Sequence, residues 1–138
     1  MTQSLDLTPL QKALQSLVFA IERTKREAGD DMLRDSVIQR FEYTYELCWK
    51  MLKRRLEMDA PSVEAVDAMS YRDMIREGAE RGLIDEPVAW FDYRQKRNLT
   101  THTYNAEVAQ EVYQSAVAFA GHAQKLLSAL EQRNHDAA

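Results

Sequence analysis

Residues 31–56 read DMLRDSVIQRFEYTYELCWKMLKRRL, and this stretch decides the fold. Val37, Phe41, Tyr45, Cys48, Leu52 and Leu56 recur three or four residues apart, which lines them along one face of an α-helix. Charged side chains fill many of the positions between them, so the segment reads as a helix with one side buried and the other wet. At helical rise it is ~39 Å long. Asp31 is its expected cap.

The same reading extends in both directions. Upstream, Thr8 before Pro9 reads as an N-cap followed by proline at the first helical position, and Leu10, Leu14, Leu17, Val18 and Ile21 keep helical spacing until Gly29. Downstream the pattern lapses around Pro61. Ser70 with Asp73 then resembles a capping box that opens a short helix, with Gly82 as its stop. Asp85, Glu86 and Pro87 start a further helix whose expected core side is Val88, Phe91 and Leu99. Asn105 caps a last long helix with the stripe Val108, Val112, Ala116, Phe119, Ala123, Leu126 and Leu130, and the tail after Arg133 reads as frayed. No segment alternates with a period of two. The expectation is an all-α, antiparallel up-and-down four-helix bundle with one additional short helix, in a single domain over 1–138.

Composition narrows the function classes. Cys48 is the only cysteine, which excludes an internal disulfide framework, and His102, His122 and His135 are too scattered for a structural zinc site. No metal or cofactor is expected. No apolar run reaches the length of a membrane span, and MTQSLDLTPL lacks the basic end and apolar stretch of a signal peptide, so a cytoplasmic protein away from membranes is expected. The net charge is −4, yet residues 91–104 hold three basic side chains against one acidic. Arg94, Lys96 and Arg97 are therefore the first candidates for a phosphate, although a short basic run is also an ordinary solvated helix face.

That run continues as Arg94-Gln95-Lys96-Arg97-Asn98-Leu99-Thr100-Thr101-His102-Thr103-Tyr104-Asn105, too polar for a packing stripe. On a continuous helix Arg97 and His102 would stand roughly 140° apart around the axis and could not converge on one atom. Either the chain bends here, as three β-branched threonines encourage, or two copies of the chain meet. A bland reading stands beside the functional one: Arg97 as a helix C-terminal cap, His102 as a loop histidine. Tyr45 and Cys48 read as core and His122 as a packing or surface residue, while Tyr43, Trp49 and Trp90 stay open.

These residues resemble the HEPN domains, small helical bundles with an Arg-x4-6-His motif whose arginine is often followed by a polar residue, here Arg97-Asn98 and His102. The resemblance narrows to the nucleotidyltransferase substrate-binding branch, also described as HepT-type toxins, through Arg97, His102 and Tyr104 in an Arg-x4-His-x-Tyr arrangement. FEYTYELCWKMLK at 41–53, YRDMIREGAERGLI at 71–84 and WFDYRQKRNLTTHTYN at 90–105 look like this branch too, so the likeness covers most of the chain. It implies a metal-independent endoribonuclease, active as a homodimer that pairs two Arg-His motifs. It also implies a cognate nucleotidyltransferase antitoxin that attaches adenylyl groups to Tyr104.

The implied chemistry suits the residues. Cleavage of RNA through its own 2′-hydroxyl needs a proton acceptor, a proton donor and a counter-charge for the phosphorus centre. His102 suits proton transfer near neutrality, Arg97 offers a planar fork to phosphate oxygens, and Asn98 can orient either partner. Arg94 and Lys96 are the expected RNA-binding cations. Two other classes use the same chain: a non-catalytic subunit that presents nucleotide or substrate to a nucleotidyltransferase, and a purely structural helical adaptor. In the dimer, the stripes of the second and fourth helices are expected to form much of the contact.

Overall fold

The computed structural model describes residues 4–137, and these are helical with short links. The order is α1 (Thr8–Arg26), α2 (Asp31–Asp59), α3 (Val63–Asp67), α4 (Tyr71–Glu80), α5 (Pro87–Asn98), a single 3-10 turn (Thr100–His102) and α6 (Ala106–Ala137). The helical bundle expected from the sequence is what forms, with no strand among the described residues. Its members are unequal. α1, α2 and α6 run for 19, 29 and 32 residues, whereas α4 and α5 have 10 and 12. The three long helices pack on one another, α5 leans on α2 and α6, and α4 leans on α5 and α2. No helix is long and apolar enough to cross a membrane, among the described residues.

The α2 stripe is buried in full: Val37, Phe41, Tyr45, Cys48, Leu52 and Leu56 are each at most 4% exposed. Because this stripe is consumed inside the chain, it is not the dimer contact surface expected of it. On α6, Val112, Ala116, Phe119, Ala123, Leu126 and Leu130 face the same core. Phe119 is its aromatic hub, meeting Phe41 of α2 and Trp90 and Tyr93 of α5 edge-on at 5.1, 5.6 and 5.2 Å between ring centroids. Edge-to-face contacts of this kind add to area burial. They fix α5 against the two long helices, and α5 carries the arginine motif.

Several boundaries differ from the expectation. α1 is preceded by Leu7, with no side-chain cap; Thr8 is already helical, and Asp6 accepts its N–H at 3.0 Å. Asp30 rather than Asp31 caps α2, accepting from Met32 and Leu33. The lapse after Pro61 contains the five-residue α3, capped by Ser62 and anchored by Val66. The Ser70–Asp73 capping box forms with both of its bonds, and Gly82 follows α4 at φ +76°. On α5 the buried side is Trp90 and Tyr93, while Val88 is 77% exposed. Val18, read as part of the α1 stripe, is also exposed.

The tail is not frayed as far as Ala137, because α6 continues through it. Asn134 accepts from the Leu5 N–H at 3.0 Å and donates to the Leu5 carbonyl at 2.9 Å, tying the two ends of the chain together. Arg133 donates to the Arg81 carbonyl. Residues 1–3 of the segment read as lacking a leader, and Ala138 of the tail, lie outside the described residues.

Candidate functional site

The motif straddles the end of α5, and the bend that helical geometry demands occurs between its members. α5 stops at Asn98, and the single 3-10 turn follows. The threonines stitch it locally. Thr100 Oγ1 donates to the Arg97 carbonyl at 2.8 Å, and Thr103 Oγ1 to the Thr100 carbonyl at 3.2 Å. The His102 N–H reaches the Leu99 carbonyl, the Asn105 N–H reaches the His102 carbonyl, and Asn105 Oδ1 then caps α6 through Glu107 and Val108. Side-chain bonds to nearby backbone of this sort compete with helix continuation, which is why α5 ends here.

His102 and Tyr104 stand exposed on this turn with their rings edge to face at 6.1 Å, and Tyr104 is 86% exposed. Arg97 points elsewhere, to α2. Its Nε lies 2.6 Å from Glu46 Oε1, both side chains about a third exposed. The Nε–H is not aimed along that line, and the atom has no hydrogen bond despite being buried, so the contact is charge against charge. This leaves the guanidinium held in place without exhausting its donors.

Beside this ion pair is a pocket of about 190 Å³ lined by Tyr45, Glu46 and Trp49 of α2, Tyr71 of α4 and Arg94, Arg97 and Asn98 of α5. It brings three of the expected site residues together: Arg94, Arg97 and Asn98. His102, Tyr104 and Lys96 are not in its wall. Lys96 is 13% exposed and bound to Asp92 at 2.8 Å and Glu111 at 3.5 Å. The Asp92 hydrogen bond and the two carboxylate charges hold its ammonium above the ordinary lysine value.

The aromatic wall is tightly fixed. Tyr45 donates to the Tyr71 hydroxyl at 2.6 Å, and Tyr71 donates to the Trp90 carbonyl at 3.2 Å. Burial pushes the Tyr71 phenol up to about 12 and Tyr45 higher still, so both remain neutral donors. Trp49 packs on Tyr71 at 4.8 Å, and the Arg94 guanidinium lies 4.2 Å from the centre of the Tyr71 ring.

Tyr45 and Cys48 are core as expected, and burial raises the Cys48 thiol, which argues against a nucleophile. His122 joins two elements: its Nδ1 meets the Tyr93 hydroxyl and its Nε2 lies 3.1 Å from Glu86. A larger groove of about 580 Å³ between α1 and α6 is lined by Leu14, Phe19, Leu127 and glutamines, and contains no motif residue. Glu46 and Tyr71 are the pocket residues that the sequence did not single out, and Trp49, left open there, lines the pocket with them. They sit on other helices, and only the likeness of 41–53 and 71–84 to the same family marked their segments.

Comparison with known proteins agrees with this fold. A family described as nucleotidyltransferase substrate binding protein like matches residues 5–132. A curated relative from Haemophilus influenzae, "Probable ribonuclease HepT", is 37% identical over 142 residues, covering 97% of each chain. A solved Haemophilus influenzae structure, described as the fold of a substrate binding domain of a nucleotidyltransferase, superposes with a TM-score of 0.85 at 34% identity. It covers 91% of this chain and 99% of that one. A crystal structure from Thermus thermophilus gives 0.69 at 31% identity, covering 86% and 98%.

Proposed function

The chain belongs to the nucleotidyltransferase substrate binding protein-like family, and from that premise we propose that it is a HepT-type toxin: a metal-independent endoribonuclease restrained by a cognate nucleotidyltransferase antitoxin. The observation that carries this reading is the division of the motif at the end of α5. Arg97 is anchored by Glu46 at the edge of a pocket, while an exposed His102 is presented on the turn that follows. A fixed cation beside a solvent-facing imidazole suits cleavage of RNA by its own 2′-hydroxyl. Arg97 neutralises the phosphate, His102 moves the proton, and Asn98 orients one or the other. The proposed chemistry is assigned to these three side chains.

One chain supplies one motif, and the working enzyme is proposed to be a homodimer that faces two motifs across a shared RNA groove. Arg94 and Lys96 are assigned to the RNA backbone, Lys96 sharing its charge with Asp92 and Glu111. Tyr104, the most exposed aromatic side chain among the described residues, is the proposed acceptor of adenylyl groups from the antitoxin. A transferred AMP adds a bulky anion two residues from His102, close in sequence to the cation that substrate needs. The same reading places its action in the cytoplasm.

The second reading, a non-catalytic subunit that presents nucleotide or substrate to a nucleotidyltransferase, is favoured by the description of the Haemophilus influenzae structure. One experiment separates them. Purified protein, free of partner, is incubated with RNA in chelator. Fragments ending in cyclic phosphate support the ribonuclease; intact RNA that is nonetheless bound supports the binding subunit.

A further inference from the structure

We propose that the pocket walled by Trp49 and Tyr71 is a nucleobase subsite, which seats one base of the RNA next to the phosphate held by Arg97; this deepens the ribonuclease reading above and rests on it. Four features of the pocket point to a flat, anionic ligand. Its volume of about 190 Å³ suits one heterocycle rather than a length of chain. Its wall is aromatic and pre-set, because two hydrogen bonds lock the Tyr71 ring and Trp49 leans on it at 44° instead of closing flat over it. Its charge is net positive, Arg94 and Arg97 against Glu46. Finally, Asn98 and Glu46 supply donors and acceptors at its edge, the complement that a base edge requires.

Packing alone does not account for this composition. A contact made only to join α2 to α4 needs no pair of arginines around it, and Arg94 is solvent-exposed while lying on an aromatic face. Single-stranded RNA is held by this combination: a base against an aromatic ring or a guanidinium plane, with cations along the backbone. Stacking tolerates every base, so the subsite places the strand without dictating its sequence. Trp49 is the residue on which the base would lie, since it is half-buried and lines the pocket, whereas Trp90, the other tryptophan, is 2% exposed.

That difference supplies the test. Tryptophan fluorescence of the intact protein is titrated with nucleoside monophosphates and, as a probe lacking the base, ribose 5-phosphate. Saturable quenching by the nucleotides, absent with ribose 5-phosphate and lost in Trp49→Phe, is the expected result. In the His102→Ala protein, binding of a short unstructured RNA should weaken about ten-fold or more on adding Trp49→Ala, with Trp49→Phe restoring most of it. No quenching, an equal response to ribose 5-phosphate, or RNA affinity indifferent to Trp49 would overturn the subsite. The ribonuclease reading fails separately: if wild-type protein leaves RNA intact while nucleotides still quench Trp49, the subsite stands and the nuclease falls.

Discussion

Arg97 and His102 are five residues apart in sequence but differ in setting, one anchored against another helix and the other exposed on a turn. The sequence displayed this pair through its resemblance to an Arg-x4-6-His motif, while helical geometry and the threonines announced only a bend between its members. It did not display Glu46, whose position on α2 reads as ordinary wet helix surface until folding sets it against Arg97. Nor did it show that Lys96 would be engaged by Asp92 and Glu111. Tyr104 is accessible enough to be modified without any opening of the fold. Intact mass after co-expression with the proposed nucleotidyltransferase antitoxin should show adenylyl addition to the wild type and none to Tyr104→Phe. Addition that persists in Tyr104→Phe would move the modification elsewhere.

Among the elements, those with several turns of apolar spacing were legible, and those too short or too aromatic were not. α3 has barely more than one turn, so no period exists to be read, and a single valine anchors it. α5 hid its buried side because Trp90 and Tyr93 carry polar tips on large apolar rings, whereas Val88 looks like core and is exposed. The stop after α4 was legible for a backbone reason. Gly82 holds φ at +76°, where an L side chain is strained. Gly82→Ala should therefore lower stability by about 1–2 kcal/mol, read as a shift of the urea midpoint at unchanged slope. An unshifted midpoint would show that the link relaxes freely.

For the molecule as a whole, the core was predictable in kind, and the unequal lengths of the helices were not. Phe119 joins α2, α5 and α6 through edge-on rings, so Phe119→Ala should cost about 3–5 kcal/mol and loosen the helix that bears the motif. Thermal denaturation measures the first effect, and exchange of the α5 amides the second. The proposed homodimer belongs to this scale too. The buried α2 stripe leaves the contact to residues outside the core, and sedimentation equilibrium at micromolar concentration should return twice the chain mass of 16.0 kDa. A monomer with full activity would contradict the paired-motif arrangement. The central claim is that this bundle cuts RNA with its own arginine and histidine, and the single-turnover rate on one RNA in chelator tests it. The wild type should cleave, and His102→Ala should be slower by about 10²–10⁴ at unchanged melting temperature; equal rates for the two proteins would contradict the claim.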